Sequence, residues 1–150
     1  MKTTAARSRP LLIVVHPGSL CGSADMHLRG WAESTRDMIA HEISKWIGDV
    51  AVIVGFLDEE LDRPQYAGLE EALRRATYRT FGEPLSESLR HAAGRIAEHF
   101  GLGKGDQVTV TGAWNDRDGT GCVTSVARAL RRKAFDVRIS PNAPASDAIE

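Results

Sequence analysis

The chain has 150 residues, with 42% hydrophobic side chains, 19 basic against 20 acidic groups and a formal charge of -1. That is the size and makeup of one globular domain able to bury about two thirds of its unfolded surface, and two cysteines are too few for a disulfide framework. Near-neutral charge supplies no global field for nucleic acid or an anionic membrane, and the aliphatic run Leu11 to Val15 is far too short for a membrane span. We expect a cytoplasmic, reduced protein with no nucleic-acid or membrane partner.

Residues 1–10 are small, polar and basic and read as a loose arm; residues 11–140 read as a single α/β domain; residues 141–150 read as a tail. Leu11 to Val15 is apolar on both faces, as a central parallel strand requires. His16-Pro17-Gly18-Ser19-Leu20-Cys21-Gly22 ends it, and Ser23 is placed to cap a long helix reaching about Ile47. Leu28, Trp31, Thr35, Ile39, Ile43, Trp46 and Ile47 give that helix its apolar stripe. Val50 to Phe56 reads as a second buried strand, followed by an acidic loop and a short helix near Gly68 to Ala76. Pro84 opens another helix, with Leu85, Leu89, Ala92, Ala93, Ile96 and Phe100 on its buried side. Gln107 to Ala113 is a third strand, about Cys122 to Ala134 a helix, and Asp136 to Ile139 a fourth strand.

Alternation of strands and helices predicts a doubly wound, mainly parallel four-stranded sheet, with the strands in the spatial order second, first, third, fourth. Its crevice then opens between the loop from His16 to Ser23 and the loop from Trp114 to Cys122, and a small molecule is the expected ligand. Gly18, Ser19, Cys21 and Ser23 lie between strand and helix, where amide groups and the helix dipole suit an anion. Gly119, Thr120 and Gly121 are the corresponding binding candidates in the second loop. His16, Cys21, Cys122, Asp116 and Asp118 all fall at carboxyl ends of strands, but no pair has metal-ligand spacing, and we expect neither a metal nor a cofactor. His27, His41, His91 and His99 fall in the helices and read as rim residues. Arg128, Arg131, Arg132 and Lys133 gather toward a helix C-terminus, which the dipole favours.

Three resemblances bear on function. Residues 12–23 resemble the phosphate loop of low-molecular-weight tyrosine phosphatases at Gly18, Cys21 and Ser23, but His16 stands at the position of the nucleophilic Cys and Gly22 at that of the Arg. Asp116-Arg117-Asp118-Gly119-Thr120 resembles the aspartyl-nucleophile signature of haloacid dehalogenase-type phosphatases, which implies magnesium-dependent phosphoryl transfer at Asp116 with Asp118 as acid and base. Gly121-Cys122-Val123, with the alanine-containing helix after it and Phe135 to Ser140, resembles the C-terminal part of isochorismatase-like cysteine hydrolases over about residues 107–148. That resemblance implies a Cys122 nucleophile. His16 occupies the place of the family's Asp, and Lys104 is close to Gln107 for the family's Lys.

The leading reading is a small-molecule hydrolase of this type, or a catalytically altered relative. Cys122 is its candidate nucleophile, His16 its candidate base, and the amides of Gly121 and Cys122 its oxyanion site. The competing reading is a non-catalytic ligand-binding or assembly module, and a magnesium-dependent phosphatase is a third. A homodimer is expected from the apolar second strand, whose edge would otherwise lie open.

Overall fold

The computed structural model describes residues 10–17, 37–54, 71–83, 85–112 and 121–140. The arm at 1–9, the tail at 141–150, the acidic loop and most of both crevice loops lie outside them. In chain order the elements are β1 (Leu11–Val15), helical residues 37–45 (α1), β2 (Asp49–Val54), a helical turn at 71–73 (α2), β3 (Tyr78–Phe81), α3 (Ser86–His99), β4 (Gln107–Gly112), α4 (Cys122–Arg131) and β5 (Asp136–Ile139). The five strands form one sheet in the order β3-β2-β1-β4-β5, and every neighbouring pair is parallel.

β1 is central because both of its faces are apolar. Leu11, Ile13 and Val15 enter one core with Leu89, Ala92 and Ile96 of α3 and Val123, Val126 and Leu130 of α4. Leu12 and Val14 enter the other, with Ile39 and Ile43 of α1 and Ala72 and Leu73 of α2. All five β1 side chains are fully buried, and each contributes about 1.5–3 kcal/mol relative to exposure. α3 and α4 therefore cover one face and α1 and α2 the other, the doubly wound α/β arrangement expected.

The four expected strands take the expected order, as β2-β1-β4-β5, but the sheet has a fifth. β3 adds outside β2, with Tyr78 to Phe81 alongside Ala51 to Val54. Only Thr80 in it is buried, so it carries no apolar signature. Backbone bonds flank it, from Thr77 N–H to Val50 O at 2.9 Å and from Gly82 N–H to Val54 O at 3.0 Å. Arg95 of α3 fastens it, donating from Nε to Thr80 Oγ1 at 2.7 Å and from Nη2 to Phe81 O at 2.5 Å. This corrects the argument for a homodimer: β2 is not an edge, because the chain's own β3 covers it. Two stripe residues also differ. Ile47 is 87% exposed because helical residues end at 45, and Leu85 is exposed at the N-cap of α3 rather than in its buried stripe.

The winding reverses between β1 and β4, so the crevice of the fold lies at their carboxyl ends. Gly112 closes that junction. It pairs with Val15 at φ +158°, and a Cβ there would stand 2.4 Å from Val15 O and 3.0 Å from Val123 Cγ2. Only glycine lets the end of β4 approach β1 while the start of α4 packs on both. Among the described residues, no helix is long and apolar enough to cross a membrane.

Candidate functional site

His16 is the first residue after β1. Its backbone is left-handed, at φ +50°, a region in which His, Asn and Asp are the enriched non-glycine residues. Its N–H donates to Ile53 O at 2.9 Å, carrying β1 pairing with β2 one residue further. The side chain is 4% exposed, and its Nε2 lies 2.5 Å from Gly82 O. A carbonyl only accepts, so Nε2 carries the hydrogen and a neutral ring keeps Nδ1 as its acceptor. Gly82 follows β3, two strands from β1 on the side away from β4. The bond thus ties the end of β1 across β2 to the end of β3.

Cys122 stands on the other side of β1, as the first residue of α4. Gly121, its N-cap, adopts φ 97° and ψ 162° and supplies no side-chain cap. Its carbonyl accepts from Ser125 N–H at 3.0 Å, starting the helical ladder. The first turn contains no acidic residue. Cys122 is half-buried against the core shared by α3, α4 and the sheet, and its thiol is not in a disulfide. A helix N-terminus carries a partial positive charge that favours a thiolate over a thiol.

His16 and Cys122 therefore both sit at the carboxyl edge, flanking the junction of β1 and β4, while the His16 ring bonds toward β3. Of the other candidates, Gly121 is in place at the start of α4. Gly18, Ser19, Cys21, Ser23, Asp116, Asp118, Gly119 and Thr120 lie outside the described residues, as does His27. His41, His91 and His99 are exposed, as expected for rim positions; His99 stacks on Tyr78 with centroids 4.2 Å apart. Among the described residues, no group of three or more His, Cys, Asp or Glu is gathered to hold a metal ion.

Sequence reasoning missed a polar cluster on the α1 face. Ser140 follows β5 and its Oγ donates to Glu42 Oε2 of α1 at 2.6 Å. Continuing the β4–β5 register puts Ser140 beside Thr111. Thr111 is fully buried, and neither its Oγ1 nor Glu42 Oε1 has a hydrogen-bond partner among the described residues. The signal available was the alternation of Thr109 and Thr111 with Val108 and Val110. It marks a strand with one polar face, but it does not say which helix residue meets that face.

No protein-family model and no curated protein sequence matches the chain. Among solved structures, the FMN-dependent cysteine decarboxylase TvaF from thioviridamide biosynthesis is similar over 90% of this chain and 91% of its own, at 12% identity and a TM-score of 0.36. Similarity at that level carries no argument about the chemistry of this chain.

Proposed function

We propose that the chain acts on a small molecule at the carboxyl edge between β1 and β4, as a hydrolase-like protein with the Cys122 thiolate as nucleophile. One observation carries this reading: Cys122 opens α4 beside the topological switch point, at a helix start with no side-chain cap and no acid in its first turn. Such a position favours the thiolate. The resemblance of residues 107–148 to isochorismatase-like cysteine hydrolases supports the same residue.

In this reaction the thiolate Sγ adds to a carbonyl carbon, and the resulting oxyanion is stabilised by the amides of Gly121 and Cys122. Collapse expels the leaving group, which takes up a proton equivalent to the one the thiol gave up on ionising. Water then adds to the thioester, releasing the acid and returning the thiol. His16 is assigned a positioning role, because its Nε2–H bond to Gly82 O draws the ring toward the end of β3, on the side of β1 away from β4 and Cys122. Asp116 and Asp118, on the connection that leads to Cys122, are the candidates for proton transfer.

That same orientation of the His16 ring favours a second reading, a binding module at this edge without catalysis. Alkylation by iodoacetamide separates the two. In a Cys21→Ser background, Cys122 is expected to react several-fold faster than free cysteine at neutral pH, with the difference vanishing once both are fully ionised. A rate no faster than that of free cysteine removes the nucleophile and leaves the binding module.

A further inference from the structure

α3 and α4 both cross between parallel strands on one face of the sheet, so they run side by side with their N-termini at the carboxyl edge. Between them lie two cavities of about 500 and 720 Å³, which share Arg90, Ala129 and Arg132 and so form one groove. Arg128 lines the upper part, and Arg95 and Lys133 line the lower. Among the described residues, two carboxylates line the groove beside these five permanent cations, Glu87 at the top and Glu98 at the bottom, and Arg95 is the one already bonded to β3. The chain as a whole is slightly acidic, at -1, so positive charge has been concentrated here.

Neither helix gains from this arrangement by itself. The dipole accounts for cations at the end of α4, but Arg90 is the fifth residue of α3, in its N-terminal half, where the dipole does not favour a cation. Its ion pair with Glu87 is long at 3.9 Å, and both side chains are largely exposed, a geometry that contributes almost nothing. Arg128 and Arg132 are four residues apart on one helix face, where like charges repel. No Asp or Glu occurs anywhere from Gly121 to Phe135. The arrangement costs the helices a little, and an anion held between Arg90 and Arg132 would offset that cost.

The shape selects the kind of anion. Grooves of this size admit a small molecule, and guanidinium groups lining one groove from two helices suit phosphoryl oxygens, which they bind in a bidentate fashion. No Phe, Tyr or Trp lines either cavity, so the stacking platform that single-stranded nucleic acid uses is missing. We propose that the groove between α3 and α4 is a binding site for a compact ligand with two or more linked phosphoryl groups, bridged by Arg90 from one helix and Arg132 from the other. The site is distinct from Cys122 and does not depend on its chemistry.

The test is calorimetric titration of the full chain with tripolyphosphate at low ionic strength. Saturable binding with one equivalent is expected, weakening as salt is raised. Orthophosphate, with less charge and fewer phosphoryl oxygens to share between the two arginines, is expected to bind at least tenfold more weakly, since each charge-assisted contact is worth roughly tenfold or more. The double variant Arg90→Gln, Arg132→Gln keeps good helix formers at exposed positions. Its helical circular dichroism should be retained, and its affinity should fall about a hundredfold by the same reckoning. Cys122→Ser should bind as the unmodified chain does, whatever the outcome of the alkylation experiment. Equal binding of orthophosphate and tripolyphosphate, undiminished binding by the folded double variant, or tighter binding of a single-stranded oligothymidylate than of tripolyphosphate would each overturn the proposal.

Discussion

Gly112→Ala tests whether the junction that carries the candidate site is as tight as its geometry requires. The added Cβ would lie 2.4 Å from Val15 O and 3.0 Å from both Val15 Cβ and Val123 Cγ2. The first contact is with backbone inside the β1–β4 ladder, so it is relieved only by parting the two central strands or lifting the start of α4. Overpacking of this kind, together with a φ of +158°, costs about 2–4 kcal/mol. For a chain of this length that lowers the melting temperature by roughly 4–16 °C. Thermal unfolding followed by circular dichroism measures it, and Gly94→Ala supplies the control. Gly94 lies inside α3 with nothing within 4 Å of its Cβ position, so the same change there should stabilise by about 0.5–1 kcal/mol. A loss under about 1 kcal/mol at Gly112, or equal effects at the two glycines, would refute the view that close approach of β1, β4 and α4 fixes this edge.

Two further substitutions probe what sequence reading missed. Thr111→Val removes a fully buried hydroxyl without a hydrogen-bond partner among the described residues and should leave stability unchanged or raise it by up to about 1–2 kcal/mol; a fall of that size in urea unfolding would mean that the hydroxyl is bonded. Arg95→Met deletes both bonds that fasten β3 to α3. It should accelerate amide exchange at Tyr78 to Phe81 while leaving β1 protected, and equal acceleration in both strands would show that the clamp is not local.

The parts of the fold that could be read from the sequence were those in which burial itself writes the pattern. β1 has two covered faces and appears as an unbroken aliphatic run, and α3 buries Leu89, Ala92, Ala93 and Ile96 at helical spacing. β3 has neither signature. It is four residues long, one of them buried, and is held by backbone bonds to β2 and by a guanidinium from a helix that comes later in the chain. That omission left β2 as an apparent edge, and the homodimer expectation was built on it. The candidate site divides in the same way. The place of Cys122 at a helix start could be read because Gly121 precedes a run with helical spacing of Val123, Val126, Ala127 and Leu130. The partner of His16 could not, since Gly82 is 66 residues away and offers a backbone carbonyl, which no side-chain motif encodes.

His16 is also where the two functional readings part most sharply. If it is the base that serves Cys122, removing the ring slows the thiol; if it is the tie between β1 and β3, removing the ring loosens the sheet and leaves the thiol alone. His16→Asn separates these outcomes, because Asn tolerates the left-handed backbone at φ +50° while its shorter side chain does not reproduce the imidazole bond. Gly82 O then loses its donor in a buried setting, at a cost of about 1–3 kcal/mol or roughly 2–12 °C in melting temperature. The geometry predicts that loss together with an unchanged pH profile for alkylation of Cys122, measured well below the melting transition in the Cys21→Ser background. A profile shifted to higher pH, with stability intact, would place the imidazole beside the thiol and return the role of base to His16.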